Sequence, residues 1–397
     1  MQPLSPTMTG SRPVRTPDRA ILAALAGMLA LASSLGIGRF VYTPILPSMA
    51  AALGLSASGA GLIASANFAG YLAGAIVAMA PRLPGGRRAW FVGGLLVSAA
   101  TTMAMGVAIG LTPFLLLRFF GGASSAFVLV LGTAAVLDVL AGAGRTGLRA
   151  VHYAGVGLGI AVSSVAVSGL EALGASWQAL WLAAGGIAFL MLIVPAASLR
   201  WGRAGGAGRG ARVRLGAGVL PLAVCHGLFG FGYVVTATFL VAMVRLSPSG
   251  RAIEPLVWLI VGLAALPSLL LWDWVAARVG TRRSYALACV VEAVSVLAGG
   301  GWPTPTGLLL AAALFGGTFM GLTALGFAAA RDLGAEGQER RFAVITVGFG
   351  LGQAVGPVVG GAVSDWTGGF WAPSVLAACA LLLAAVIVVA SGRRRIG

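Results

Sequence analysis

Twelve long apolar runs constrain the fold of this chain more than any single motif does. About 20 apolar residues cover the ~30 Å hydrocarbon core of a bilayer, so runs of this length are typical of membrane-spanning helices. Charged residues make up only 9% of the 397 residues, whereas soluble domains contain roughly a quarter. The sequence therefore predicts an all-α polytopic membrane protein. Its predicted membrane segments, numbered 1 to 12 in order, are approximately 19–46, 56–79, 89–111, 113–140, 149–170, 177–198, 216–244, 254–277, 284–300, 305–330, 341–364 and 370–391.

The arginines between the segments predict how the chain is oriented. All 26 basic residues are arginines, and 22 of them lie in the tails and connections on the side that holds both termini. Only Arg245 and Arg251 lie at segment ends on the other side. Basic residues are enriched in cytoplasmic connections, which predicts cytoplasmic termini in a bacterial inner membrane. Because the charge is spread over many short connections, it argues against a nucleic-acid-binding face.

An internal repeat divides the chain into two similar halves. The sequence Gly-Ile-Gly-Arg at Gly36–Arg39 aligns with Gly-Phe-Gly-Tyr at Gly230–Tyr233, a spacing of 194 residues. Two halves that enter from the same side predict parallel repeats, with the substrate site at their interface near mid-membrane. The predicted organisation is a tail at 1–18, a six-helix bundle at 19–198, a Gly- and Arg-rich linker at 199–215, a second six-helix bundle at 216–391 and a basic tail at 392–397.

Two motifs connect this repeat to a known family. Residues 36–44 read Gly-Ile-Gly-Arg-Phe-Val-Tyr-Thr-Pro, and residues 350–357 read Gly-Leu-Gly-Gln-Ala-Val-Gly-Pro. With them the chain resembles the major facilitator superfamily, and in particular its YbfB/YjiJ-type subgroup, over residues 19–391. The family's Arg-x-x-x-Gly signature in segment 4 is present as Arg118 and Gly122. The resemblance implies rocker-switch alternating access, a cavity lined chiefly by segments 1, 4, 7 and 10, and export rather than uptake.

Two arginines inside apolar segments are the strongest candidates for a site. Arg39 lies late in segment 1 and Arg118 early in segment 4, so they approach the same depth from opposite directions. An arginine in the hydrocarbon core costs several kcal/mol unless it faces protein or water, and its planar fork matches a carboxylate. Both are therefore candidate ligands of an anionic or carbonyl-bearing small molecule. Binding to helix carbonyls or to a buried acid is the open alternative.

Other polar residues inside the segments extend this candidate site. Tyr233 is the repeat partner of Arg39, and His226 lies seven residues earlier on the same helical face. His226 is either a proton carrier, because imidazole titrates near neutral pH, or a packed histidine. Glu292 is the only carboxylate well inside a segment, which predicts that it is paired or protonated, with proton coupling as the second interpretation. The uncharged candidates are Tyr42, Asn67 and Gln353.

Charged residues at the cytoplasmic segment ends predict a gate. Asp138 and Asp332 occupy equivalent places at the ends of segments 4 and 10. We expect them to bind Arg87–Arg88 and Arg282–Arg283, as latches that hold one conformation closed. Exposed ion pairs contribute only ~0–1 kcal/mol, so such latches bias a conformation without locking it. The family's signature aspartate between segments 2 and 3 is missing, and Asp273 is a candidate substitute for its counterpart in the second half.

Small residues in the segments are predicted to pack helices. Gly122, Gly157, Gly352 and Gly356 lie in apolar helices, and small residues let helices approach closely in a membrane. A dinucleotide-binding loop would need its glycines directly after a strand. Pro357 is predicted to kink segment 11.

Missing motifs narrow the function. The chain has no lysine for a phosphate-binding loop, no Gly-x-Ser-x-Gly elbow and no cluster with metal-ligand spacing. We therefore expect no metal or cofactor and a proton gradient as the energy source. The predicted function is secondary transport of a small solute by a monomer in the lipid bilayer. A polytopic membrane enzyme using His226 or Glu292, and a non-transporting membrane sensor or scaffold, are the alternatives.

Overall fold

In the residues that the structure describes, thirteen α-helices account for the twelve predicted segments. The computed structural model describes residues 16–80, 83–199, 201, 218–334 and 337–393. Most of the predicted linker and of both predicted tails lies outside the described residues, which contain no strand. The helices are α1 Thr16–Leu31, α2 Tyr42–Leu53, α3 Ala57–Ala78, α4 Arg87–Ala104, α5 Leu111–Gly142, α6 Arg149–Ala172, α7 Trp177–Ser198, α8 Val219–Leu246, α9 Glu254–Val279, α10 Thr281–Gly301, α11 Pro305–Arg331, α12 Gln338–Thr367 and α13 Trp371–Arg393.

These helices form twelve spans, because α1 and α2 together make the first. In the described part of the chain, eleven spans are long and apolar enough to cross a membrane. The remaining helix, α4, is shorter and begins with two arginines. It ends at Ala104, earlier than predicted, because residues 105–107 form a turn and no helix resumes before Leu111. An even number of spans places the start of α1 and the end of α13 on one face, the termini face; the opposite face is the far face. We call α1–α7 the N-terminal half and α8–α13 the C-terminal half.

The first span is broken next to Arg39. After α1 the backbone forms a π-helical stretch, Ala32–Ile37, followed by four turn residues before α2. Pro44 lies in the first turn of α2, where its missing N–H removes no helical bond, so it favours a new helix start. The equivalent helix of the C-terminal half, α8, is continuous and has Thr238 at the repeat position of Pro44. The apolar run 19–46 thus contains a break that its repeat partner lacks.

Glycine backbones join the two halves. α3 packs along α12, and α6 packs along α9. A Cβ on Gly61 would lie 2.1 Å from the Pro357 carbonyl oxygen, and a Cβ on Gly157 would lie 2.6 Å from that of Gly262. Any larger residue would therefore push the halves apart. The helix α12 continues through Pro357 to Thr367, and the kink at Pro357 stays a prediction.

Two further glycines pack α12 against α8 within the C-terminal half. A Cβ placed on Gly352 would lie 1.9 Å from the Gly227 carbonyl oxygen. A Cβ placed on Gly356 would lie 2.4 Å from the Val234 side chain. Both glycines thus allow α8, which carries Tyr233 and His226, to lie directly against α12.

Substituting Gly122 by alanine is expected to destabilise the N-terminal half. Its Cβ would lie 1.9 Å from the Asn67 carbonyl oxygen, so α3 and α5 must separate, which costs ~1–3 kcal/mol. The matched control is Gly317→Ala at the repeat position in α11, where a Cβ meets nothing within 4 Å. The melting temperature in detergent should fall for Gly122→Ala and stay level or rise for Gly317→Ala. Equal melting temperatures would contradict the packing role of Gly122.

Candidate functional site

Arg118 holds the break in the first span. Its Nη1 donates to the Gly38 carbonyl oxygen and its Nη2 to the Arg39 carbonyl oxygen, each at 3.0 Å. The guanidinium also lies over the Tyr42 ring, 5.1 Å from its centroid. These two carbonyls belong to the turn residues between the π-helical stretch and α2. In this structure Arg118 therefore binds two backbone carbonyls of the turn, and its Nε has no hydrogen-bond partner among the described residues.

The Arg39 side chain lies in a cage of aromatic rings. Its guanidinium carbon is 4.0 Å from the Tyr71 ring centroid, 4.9 Å from that of Phe68 and 5.9 Å from that of Phe40. Arg39 is 5% exposed, and its Nε and Nη2 have no hydrogen-bond partner within the described parts of the chain. Cation–π contacts compensate only part of the lost hydration of a buried guanidinium. Arg39 is therefore a buried cation with two donors available to a ligand.

Five aromatic side chains of the C-terminal half form a wall beside this cage. Tyr233 lies at the centre, and its ring is nearly parallel to those of Phe319, Phe349 and Phe315, at 3°, 11° and 15°. The Tyr233 hydroxyl is within electrostatic range of Arg39. We call this wall the aromatic platform, and its members are Phe229, Tyr233, Phe315, Phe319 and Phe349.

The three uncharged candidates make structural contacts around the same region. The Tyr42 hydroxyl donates to the Ala60 carbonyl oxygen at 2.8 Å, and Asn67 Nδ2 donates to the Arg118 carbonyl oxygen at 2.9 Å. Gln353 Nε2 donates to the Tyr233 hydroxyl. Each tethers one helix to a neighbour, so Tyr42 and Asn67 fix α2 and α5 against α3, and Gln353 fixes α12 against α8.

The two candidate proton carriers lie near the platform, and the His226 ring centroid is 4.8 Å from that of Phe349. Glu292 is fully buried, accepts a hydrogen bond from Thr318 and has an Oε1 without a partner. Because Thr318 neighbours Phe319 on α11, Glu292 contacts the helix that carries part of the platform. His226 is also fully buried, with its Nδ1 3.2 Å from the Tyr285 hydroxyl and its Nε2 without a partner.

A charged cluster on the far face ties the halves together. Arg245 of α8 bonds to Glu171 of α6 at 3.2 Å and to Glu254 of α9. Its Nη1 also donates to the Ser48 hydroxyl at 2.7 Å. The sequence analysis missed Glu171, which lies 74 residues from Arg245. We call these four residues the far-face clamp. The only signal in the sequence was that Arg245 is one of two arginines on its side of the membrane.

Asp365 adds a second contact between the halves on the far face. Its two carboxylate oxygens accept hydrogen bonds from the backbone N–H groups of Ala57 and Ser58, both at 2.9 Å. These are the first residues of α3, where helical N–H groups lack partners and carry partial positive charge. A carboxylate from α12 in the C-terminal half therefore caps a helix of the N-terminal half.

The predicted gate on the termini face differs from the contacts found there. Within the described residues, neither Asp138 nor Asp332 forms an ion pair, so neither latch with Arg87–Arg88 or Arg282–Arg283 is formed in this structure. Asp273 of α9 instead pairs with Arg149 of α6 at 2.7 Å, across the two halves. Packing of α6 against α9 across the two halves brings Arg149 and Asp273 within bonding distance.

Replacing Arg245 by glutamine is expected to open the far face more often. Charge-assisted hydrogen bonds contribute ~1.5–3 kcal/mol each. Losing the bonds from Arg245 to the N-terminal half should therefore raise the population of the conformation that is open at the far face by roughly 5-fold or more. The reporter is a cysteine at Ala237, whose carbonyl oxygen accepts a hydrogen bond from Thr43 across the halves. All variants are made in a protein whose three native cysteines are replaced. A membrane-impermeant maleimide should label the cysteine at position 237 faster in Arg245→Gln than in the protein with Arg245.

Arg251→Gln is the matched control for this labelling. Arg251 is an exposed arginine near the same face, and its Nε donates only to the Arg245 carbonyl oxygen. Its loss removes a positive charge but no ion pair between the halves. Equal labelling rates in the two variants would show that the clamp does not hold the far face closed.

Similar proteins share this architecture. Residues 31–389 match the family described as uncharacterised MFS-type transporter YbfB. The crystal structure of a point mutant of the nucleoside transporter NupG superposes with a TM-score of 0.74 at 14% identity, covering 93% of this chain and 99% of that one. A bacterial homologue of the human lysosomal transporter Spinster superposes with a TM-score of 0.70 at 13% identity, covering 97% and 98%. No curated protein matches in sequence.

These similarities confirm the predicted fold. At 13–14% identity, the two superposed structures show a shared architecture and nothing about the substrate. The family match covers nearly all of the described spans, including the break at Arg39 and the platform. This chain therefore belongs to the YbfB-type family of the major facilitator superfamily and is a multi-pass membrane transporter of a small molecule.

Proposed function

We propose that the protein transports a small organic anion, with Arg39 as the positive charge that binds it. The observation that carries this proposal is the buried Arg39 guanidinium, whose Nε and Nη2 have no hydrogen-bond partner. A guanidinium presents two parallel N–H groups to a carboxylate. An anionic ligand would supply both the missing hydrogen bonds and the missing countercharge.

The neighbourhood of Arg39 favours an anion over a neutral ligand. Arg118 lies close enough to interact with it electrostatically, and among the residues that the structure describes no carboxylate interacts with either arginine. Like charges buried together repel. A bound anion relieves that repulsion, whereas a neutral ligand such as a nucleoside, the cargo named for NupG, does not.

The orientation of the chain rests on its arginines. In the sequence, 22 arginines belong to the tails, the linker and the connections predicted on the side of both termini, against two on the opposite side, which supports cytoplasmic termini in a bacterial inner membrane. The far-face clamp would then be the outer gate and the Arg149–Asp273 pair an inner contact. We propose that the transporter acts as a monomer without a cofactor, and that it exports its substrate.

A proton gradient is the proposed energy source. Glu292 is a fully buried carboxylate with one unpartnered oxygen, and it bonds to α11 through Thr318. Changing its charge would alter the packing of the helix that carries Phe315 and Phe319. His226 is the second candidate, because its Nε2 is buried without a partner.

Flux in proteoliposomes tests the proposed function. The purified protein is reconstituted, and uptake of a radiolabelled panel of carboxylates, with uridine as a neutral comparison, is measured with and without a pH gradient. We expect saturable flux of at least one carboxylate and none of uridine. Flux of uridine alone would overturn the anion assignment, and flux that ignores the pH gradient would overturn proton coupling.

A further inference from the structure

We infer that the ligand is a planar aromatic carboxylate, with its carboxylate on Arg39 and its ring against the aromatic platform. This inference rests on the proposed anion transport and adds the chemical class of the anion. The N-terminal half contributes the cation, and the C-terminal half contributes the rings. The two halves therefore recognise different ends of one molecule.

The platform has the geometry of a stacking surface. Phe315 and Phe319 are inclined by 12° with centroids 5.3 Å apart, and Phe229 and Phe349 by 19° at 5.4 Å. Tyr233 connects the two pairs, lying 6.2 Å from Phe319 and 5.8 Å from Phe349. Aromatic rings in protein cores commonly meet edge to face as well as stacked. In the platform, neighbouring rings lie close to parallel. A further flat group could therefore pack against them in the same orientation.

The cation and the platform are adjacent across the boundary between the halves. Phe40 directly follows Arg39, and its ring meets Phe319 edge to face, at 5.9 Å and 68°. Arg39 also interacts electrostatically with the Tyr233 hydroxyl. A carboxylate attached directly to a ring system could therefore reach Arg39 while its ring replaces the Phe40–Phe319 contact.

The site is closed in this structure. Arg39 is 5% exposed and Tyr233 2% exposed, so a ligand enters only when the halves move apart. Such movement would separate Phe40 from Phe319 and uncover the face of one ring and the edge of the other. A flat ligand restores those contacts, whereas a bulky aliphatic one keeps the rings apart. Ring planarity is thus expected to decide which anions allow closure.

Three ligands of matched size test this inference on the native protein. Binding of 2-naphthoate, decahydro-2-naphthoate and 2-naphthamide is measured by isothermal titration calorimetry in lipid nanodiscs. The first is a flat anion, the second an anion of similar size that is not flat, and the third is flat and neutral. We expect 2-naphthoate to bind at least about 10-fold more tightly than either of the others. Equal affinity of the two carboxylates would overturn the aromatic assignment.

Two platform variants add a second readout. Phe319→Leu and Phe349→Leu should each weaken 2-naphthoate binding by roughly 3- to 10-fold, the size of an aromatic pair interaction. They should leave decahydro-2-naphthoate binding unchanged. Phe239→Leu is the control, because Phe239 is a buried phenylalanine of α8 that packs on Phe370 instead. Equal losses in all three variants would contradict a specific stacking role.

The outcomes separate this inference from the proposed function. If both carboxylates bind and are transported equally well, with Arg39 required for each, anion transport stands and the aromatic class falls. If neither carboxylate binds and the amide does, both fall. If 2-naphthoate binds tightly and both Phe319→Leu and Phe349→Leu weaken that binding, anion transport and the aromatic class are both supported.

Discussion

Replacing Arg39 by glutamine is expected to abolish transport while the protein still inserts and folds. Arg39 is buried, its Nε and Nη2 lack hydrogen-bond partners, and aromatic rings surround it. Two charge-assisted hydrogen bonds to a carboxylate contribute ~1.5–3 kcal/mol each, so affinity for the anion should fall by about 100-fold or more. Radiolabelled uptake in proteoliposomes measures the loss, and size-exclusion chromatography in detergent checks the fold.

Two further variants make the interpretation specific. Arg278→Gln applies the same change to an exposed arginine of α9 that stacks on Trp274, and it should transport at the native rate. Arg39→Lys keeps the charge but loses the planar fork, so it should recover only part of the affinity. Native transport by Arg39→Gln would reduce Arg39 to a structural residue, because its charge would then be dispensable.

The spans were predictable because one physical requirement acts on each of them separately. A helix that crosses hydrocarbon must be apolar over about 20 residues whatever its neighbours are. The ends of α7 agree with the prediction at both termini, Trp177 and Ser198. The break inside the first span was less predictable, because α2 begins at Tyr42 within a run that, from Ala20 to Leu46, has no charge apart from Arg39.

The different roles of the two buried arginines could not be read from the sequence. Arg39 and Arg118 both lie in apolar runs at similar depth, so the cost of burial is alike for both. What distinguishes them is the break in the first span, which presents two carbonyls to Arg118. Arg39 receives no such partner, because its side chain points to the rings of Phe68 and Tyr71 on α3.

Contacts between distant segments were the least predictable part of the candidate site. Asp365 caps the start of α3 across more than 300 residues of sequence, and Asp273 pairs with Arg149 rather than with an arginine near its own loop. Sequence symmetry suggested the Asp138 and Asp332 latches because each aspartate could reach an arginine pair of its own half. Two ion pairs of the structure instead join the halves, namely Arg149 with Asp273 and Arg245 with Glu171. A repeat between the halves does not predict which residues of one half contact the other.

Replacing Glu292 by glutamine is expected to remove the response to a pH gradient while exchange of substrate continues. Glutamine keeps the shape and can still bond to Thr318, but it carries no titratable proton. Accumulation driven by an imposed pH gradient should fall to the level seen without one, whereas counterflow between equal pH compartments should persist. Both are measured with the same labelled carboxylate in one proteoliposome preparation.

The exposed Glu339 at the start of α12 supplies the matched control. Glu339→Gln makes the same chemical change without touching a buried group, so it should keep the native response to the gradient. His226→Gln separates the two candidate carriers, because His226 bonds to Tyr285 and not to Thr318. If Glu292→Gln still accumulates substrate with the gradient and His226→Gln does not, the coupling proton belongs to α8 and not to α10. A carrier on α8 would share its helix with Tyr233, so proton and substrate would act on the same element, whereas Glu292 lies on α10 and bonds to α11 through Thr318.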